Sequence, residues 1–252
     1  QYFLPPQHNI VHNQLPLHRV SARDRHRAGE QLRPGLLHLP RPWIAVLVGG
    51  DSGRFVMTAD KGRRLGLLAE ELAQASGGSI LVTDSPRTPR AAADALQAQL
   101  RRPHFSYRWG GGGDNPYRGF LALADAFVVT GESMSMLGEA VDTCRPLYIF
   151  DMGDGDSRWW LLPHSYRYKP LSHRLAMCIG PRRMRREIGN IQDGLVESGS
   201  ARWLTHALVA VEAQALRAGA ANVPGDASIA TPLAKQDLQR AAQAVRRLVA
   251  SG

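Results

Sequence analysis

The hydrophobic pattern sharpens at residue 43. Trp43–Val48 is an unbroken apolar run ending in Gly49-Gly50. A run without alternation predicts a strand buried on both faces of a parallel sheet, followed by a tight turn. Thr58 is placed to cap a helix reaching Ser76, with Leu65, Leu68, Ala69 and Leu72 on one face and Gly77-Gly78 as its stop. Ser79–Thr83 predicts a second buried strand, and Pro89 opens a helix through Leu100. His104–Trp109 is less apolar and reads as a third strand nearer an edge. Asn115 as N-cap and Pro116 at the first helical position open a helix over Tyr117–Ala124. Ala126–Val129 is the fourth strand, Ser133 caps a helix over Met134–Thr143, and Leu147–Phe150 is the fifth strand. Five strands alternating with four helices predict an α/β fold, a doubly wound, Rossmann-like parallel sheet.

The flanks lack this rhythm. Residues 1–42 are Pro-interrupted and basic; they admit a short strand at Asn9–Val11 and read as the end of a truncated N-terminal domain and a linker. The chain begins with Gln1, which adds to the expectation of missing upstream sequence. After Asp151 no further strand is expected. Ser200–Ala218 predicts a long helix, residues 219–230 a Gly/Ala/Pro-rich linker, and Leu238, Ala242, Val245 and Val249 one face of a last helix that packs back on the protein or, alternatively, lies on a membrane. The predicted units are 1–42, a Rossmann-like domain over 43–218, and a linker with a C-terminal helix over 219–252. No internal repeat is evident.

Ligands of open α/β sheets bind outside the carboxyl ends of the strands. Four predicted loops share that edge. In the first, Gly49, Gly50 and Asp51 offer backbone amides to an anion, or simply make a tight turn. In the second, Ser85 and Arg87 offer a hydroxyl and a guanidinium suited to a diphosphate, or Arg87 is simply solvated. The third runs from Gly110 to Tyr117, with Asn115 and Tyr117 at its end, and reads as a lid, a close approach to ligand, or a surface loop. The fourth is the most informative: Gly131, Glu132, Ser133, Ser135 and Met136 lie at a helix start, and Glu139 is four residues beyond Ser135. Amides and hydroxyls there suit a diphosphate, and a carboxylate one turn below suits ribose hydroxyls. An ordinary capped helix with a solvated Glu139 is the plainer alternative.

Composition narrows the partners. The formal charge is +9 over 252 residues, which favours anionic partners without choosing among phosphates, nucleic acid and lipid. No RNP-like, helix-turn-helix or zinc pattern is present, so specific nucleic-acid binding is not expected. Cys144 and Cys178 sit in no metal-ligand spacing, so no metal is expected; Cys144, just before a strand, reads as a buried thiol. The densest charge cluster is Arg182, Arg183, Arg185 and Arg186, either a solvated helix face or a seat on anionic lipid. No apolar run approaches a bilayer span. Cytoplasmic placement is expected, with peripheral attachment to the inner face of a membrane as a variant.

Leu121–Asp151 (LADAFVVTGESMSMLGEAVDTCRPLYIFD) resembles the donor-site element of GT-B glycosyltransferases through Asp125, Gly131, Ser133, Glu139, Ala140 and Pro146. That resemblance implies a GT-B-like fold, a nucleotide-sugar as donor substrate rather than a cofactor, and a ribose contact for Glu139. Six residues lie between Glu132 and Glu139, not the seven of many retaining members, so an inverting mechanism is the nearer analogy. IAVLVGGDSGRF (Ile44–Phe55), GGSILVTDSPRTP (Gly77–Pro89), DNPYRGFLALADAFVVTGESMSMLGEA (Asp114–Ala140) and RPLYIFD (Arg145–Asp151) are together similar to the "elongated mitochondria" fission-protein family, over about Pro5 to Leu204. That family often has Asp-Ser where this chain has Glu132-Ser133, and Glu at the position of Asp114. It also suggests a Pro-x-His-Asp element, resembled by Pro6-Gln7-His8-Asn9, which makes His8 the candidate general base, with an ordinary surface histidine as the plainer alternative. Two functions follow from the resemblances: metal-independent sugar transfer to an envelope-associated acceptor, or a non-catalytic interaction protein at a membrane.

Overall fold

The computed structural model describes residues 10, 11, 13, 15–18, 20–53, 55–153, 175, 179–181, 188–219 and 233–250. Its elements are α1 (Ala22–Leu36), β1 (Trp43–Leu47), α2 (Ala59–Ser76), β2 (Ser79–Thr83), α3 (Arg90–Gln97), β3 (His104–Tyr107), α4 (Tyr117–Leu123), β4 (Ala126–Thr130), α5 (Met134–Val141), β5 (Leu147–Phe150), α6 (Gly189–Glu197), β6 (Arg202–Trp203), α7 (His206–Arg217) and α8 (Leu233–Ala250). The six strands form one sheet in the order β3-β2-β1-β4-β5-β6. Every pairing is parallel. The fold is therefore Rossmann-like α/β, and the strand order reverses between β1 and β4, where such sheets open a crevice at their carboxyl edge.

Apolar runs dictate the centre. All residues of β1, β2, β4 and β5 are buried, whereas β3 is half-exposed at the sheet edge, as its mixed composition predicts. Thr58 caps α2 by accepting from the Lys61 amide, and left-handed Gly77 ends the helix. At the opposite edge of the sheet Asp125 fastens the start of β1: its carboxylate accepts from the Trp43 amide at 2.7 Å and pairs with Arg41. The likeness at Asp125 thus marks a strand anchor.

Several expectations are corrected. The basic stretch before residue 43 contains α1, capped by Ser21 and packed on α4. The contact is made through glycines: a Cβ at Gly29 would lie 2.9 Å from Ala122 Cβ, and one at Gly119 2.6 Å from Leu32. Small residues carry little hydrophobic signal, and Pro34 inside the helix obscured the rest. Ile10 and Val11 are in no strand, while Asn9 lies outside the described residues. The strand rhythm does not stop at Asp151, because Arg202–Trp203 adds β6 beside β5. The helix expected from Ser200 accordingly starts later: Thr205 caps α7 by accepting from the Leu208 amide. Ser133 occupies the N-cap position of α5 without a side-chain capping bond. Cys144 is exposed, at φ 56°, in the turn leaving α5. Val245 and Val249 of α8 are exposed, so that apolar stripe is not buried along its length. No described helix is long and apolar enough to cross a membrane.

Candidate functional site

The loops after β1, β2 and β4 converge at the β1/β4 reversal. Gly49 and Gly50 follow β1, and each amide is received by a residue near the end of β4. The Gly49 N–H donates to Thr130 Oγ1 at 2.8 Å, and the Gly50 N–H to Glu132 Oε1 at 2.6 Å. A side chain would crowd the first position and is strained at the second. A Cβ at Gly49 would lie 1.9 Å from Glu132 Oε1, and Gly50 has φ 121° with the Arg87 carbonyl 2.2 Å from where a Cβ would stand.

The loop after β2 closes the other side. Gly50 and Arg87 form a parallel bridge, and the Asp51 amide donates to the Arg87 carbonyl at 3.1 Å. Half-buried Arg87 donates from Nη1 to the Asp51 carbonyl at 2.8 Å. The Ser85 hydroxyl donates to the Gly49 carbonyl, so its hydrogen is spent on the turn. Buried Asp51 accepts the Met57 amide on Oδ1 at 2.8 Å. Ser85 and Asp51 therefore shape the glycine turn.

Glu132 is 1% exposed, and its Oε2 has no hydrogen-bond partner. Burial pushes its carboxyl up to about 7, opposed in part by Arg87, the Thr130 hydroxyl and the Gly50 amide. Ser133 packs against Gly49, Ser135 is exposed on the first turn of α5, and Met136 packs against the core. Ser133 makes no side-chain cap, and the first amides of an α-helix have no intrahelical acceptor. Gly131 is pinned between β5 and α6: its amide donates to the Phe150 carbonyl at 3.0 Å, and its carbonyl accepts from buried Gln192 at 2.7 Å.

A second group stands on the α4 side. The Tyr117 hydroxyl donates to Glu139 Oε2 at 2.5 Å, and Asn115 Oδ1 accepts the Tyr117 amide at 3.0 Å. Burial, followed by the Glu139 charge, pushes the Tyr117 phenol far above its ordinary range. Tyr117 is thus a permanent donor that orients Glu139. Glu139 lies six positions beyond Ser133, about 9 Å of helix at 1.5 Å per residue. Among the described residues no hydrogen bond joins this group to the glycine turn.

Between the β2 and β3 loops lies a cavity of about 550 Å³, lined by Asp84, Ser85, Thr88, Arg108, Trp109 and Gly110 among others. Asp84 accepts the Trp109 amide at 2.5 Å, and burial raises its carboxyl above the usual range. Trp109 is half-exposed at the rim. Asp84, Trp109, Thr130 and Gln192 were missed in the sequence. Thr130 looks there like an ordinary strand end, and Gln192 lies 61 residues from its partner Gly131. His8, Arg182, Arg183, Arg185 and Arg186 lie outside the described residues. Among the described residues no group of three or more His, Cys, Asp or Glu side chains is placed to hold a metal.

The model of the family described as mitochondrial fission ELM1 matches residues 3–165, which takes in α1, the first five strands and all three converging loops. The chain belongs to the mitochondrial fission ELM1 family. It is 31% identical over 157 residues to the mitochondrial fission protein ELM1 of Arabidopsis thaliana, covering 62% of this chain and 36% of that protein. It is 28% identical over 125 residues to the uncharacterized protein RP120 of Rickettsia prowazekii (strain Madrid E), covering 49% of this chain and 35% of that one. The aligned part thus spans about a third of each curated relative. For this ELM1-family chain, the glycine turn, the Arg87 loop and the Glu132–Glu139 segment all fall within the matched region.

Proposed function

We propose that the chain binds a nucleotide-sugar at the carboxyl edge of its sheet and transfers the sugar without a metal. The observation that carries this reading is the meeting of three anion-suited elements at the β1/β4 reversal: the glycine turn, Arg87 and the uncapped start of α5. The diphosphate lies against those amides and the guanidinium. Glu139, held by Tyr117, accepts from the ribose hydroxyls. The cavity beside Trp109 has room for the base, and an indole face at its rim is suited to stacking. Amides and Arg87 then stabilise the leaving diphosphate, the work a metal does elsewhere. His8 is the proposed general base, contributed by the segment preceding α1.

A second reading, a non-catalytic interaction protein at a membrane, draws on the printed name of the Arabidopsis relative, a fission protein. Arg182, Arg183, Arg185 and Arg186 would then supply the anionic-lipid contact. Melting the full chain with UDP-, GDP-, ADP- and CMP-sugars separates the two, since a bound ligand raises the melting temperature by mass action. A rise of several degrees with one base class supports the transferase reading. No rise with any sugar, together with flotation on anionic vesicles, supports the other.

A further inference from the structure

We infer that Glu132 is a built-in occupant of the anion cradle at the β1 turn, and that a ligand diphosphate enters when this side chain is the neutral acid. The inference rests on the nucleotide-sugar reading and adds its regulation. A glycine turn after the first strand of such a sheet ordinarily turns its amides toward a phosphate. Here the Gly50 amide already has an anion-type acceptor, Glu132 Oε1 at 2.6 Å. The contact is built in, because a Cβ at Gly49 would occupy the place of that oxygen.

The other oxygen is costly to keep. Glu132 Oε2 is buried and has no hydrogen-bond partner, and an unpaired buried carboxylate oxygen is among the more destabilising features a fold can hold. The charged groups facing it are few. Arg87 lies on the loop after β2, but its Nη1 is engaged by the Asp51 carbonyl. The Asp51 carboxylate in the turn adds negative charge and receives the Met57 amide. From β4 comes the hydroxyl of Thr130, and from α6 the neutral amide of Gln192. At the end of β5, Asp151 is accompanied by Arg64, which donates to its carbonyl. None of these gives Oε2 a partner. Burial accordingly raises the carboxyl to about 7, so both forms exist near neutral pH. The anion holds the Gly50 amide and repels a diphosphate. The acid carries no charge to repel it, holds the Gly50 amide only through a weaker neutral acceptor that a diphosphate oxygen can displace, and its O–H supplies a donor to a phosphate oxygen.

Nucleotide-sugars are suitable probes, because their diphosphate is a diester with no proton to lose near neutrality. Full-length protein is titrated with UDP-glucose, GDP-mannose and ADP-glucose at about pH 5.5 and about pH 8.5, with melting curves at each pH to confirm folding. If only the acid form binds, affinity falls by the acid fraction, on the order of 30-fold between these conditions. Glu132→Gln binds with the low-pH affinity at both pH values, and Glu132→Met, which leaves no carboxyl to close the cradle, is equally flat. Wild-type affinity equal at the two pH values overturns the inference and leaves nucleotide-sugar binding standing. So does a pH dependence that survives in both variants. No binding of any probe by any of the proteins overturns both.

Discussion

The Tyr117 hydroxyl and the Glu139 carboxylate meet at 2.5 Å, from the start of α4 to the second turn of α5. Because the phenol stays protonated, the carboxylate is held in one orientation with Oε1 left for a further donor. Tyr117→Phe removes that tether and leaves half-buried Glu139 without it. A lost hydrogen bond to a charged group is worth about 1.5–3 kcal/mol. Nucleotide affinity is expected to fall about tenfold, with a smaller loss of thermal stability. Calorimetric titration and a melting curve on the same sample check both.

Gly49→Ala puts a methyl onto Glu132 Oε1 and within 2.8 Å of Ser133 Cβ. The two loops must separate, and overpacking of this kind costs about 1–3 kcal/mol. Gly194→Ala is the contrast. It lies within α6 with open space around its Cβ position, so alanine there is expected to stabilise by about 0.5–1 kcal/mol. Urea unfolding of the two variants should give shifts of opposite sign.

The pH dependence of stability has a definite sign. Folding raises the Glu132 carboxyl from its ordinary 4.5 to about 7, so the native state binds the proton more tightly than the unfolded chain does. Its contribution is complete below pH 4.5 and is lost as pH rises to about 7. A shift of that size corresponds to roughly 3 kcal/mol. Glu132→Gln should remove this loss. Wild type and variant should therefore diverge between about pH 4.5 and 7, the variant becoming relatively more stable, in urea unfolding across that range.

Arg87 serves the turn and the proposed diphosphate together. Its Nη1 holds the Asp51 carbonyl while the rest of its planar fork remains for phosphate. Arg87→Lys keeps the charge but not the fork, and should not restore what Arg87→Ala loses. Both variants are expected to weaken nucleotide-sugar binding by at least about tenfold, a charge-assisted hydrogen bond being worth roughly 1.5–3 kcal/mol. Titration of both against wild type checks it.

The central fold was legible because its signal is local. Apolar runs such as Ile44–Val48 and Ala126–Val129 have no other place than a buried parallel sheet, and Thr58 and Gly77 punctuate α2 in the expected manner. β6 was not legible: two residues carry no period, and Trp203 looks the same beside a helix cap as in a strand. α1 was hidden because its contacts are backbone approaches at Gly29 and Gly119. At the site, the sequence placed Gly49, Gly50, Arg87 and the 131–139 segment on one edge. It could not show that Glu132 occupies the glycine turn, since that depends on strands 1 and 4 being neighbours. It also could not tell that Ser85 spends its hydroxyl on the Gly49 carbonyl.

The most direct test of the ribose role of Glu139 is a pair of calorimetric titrations. The best-binding nucleoside diphosphate is compared with its 2′,3′-dideoxy counterpart, on wild type and on Glu139→Ala. Wild type should prefer the ribonucleotide by about tenfold or more, the worth of a hydrogen bond to a carboxylate, and Glu139→Ala should bind the two alike. An equal ribose preference in both proteins, or no nucleoside diphosphate bound by wild type, would contradict the account.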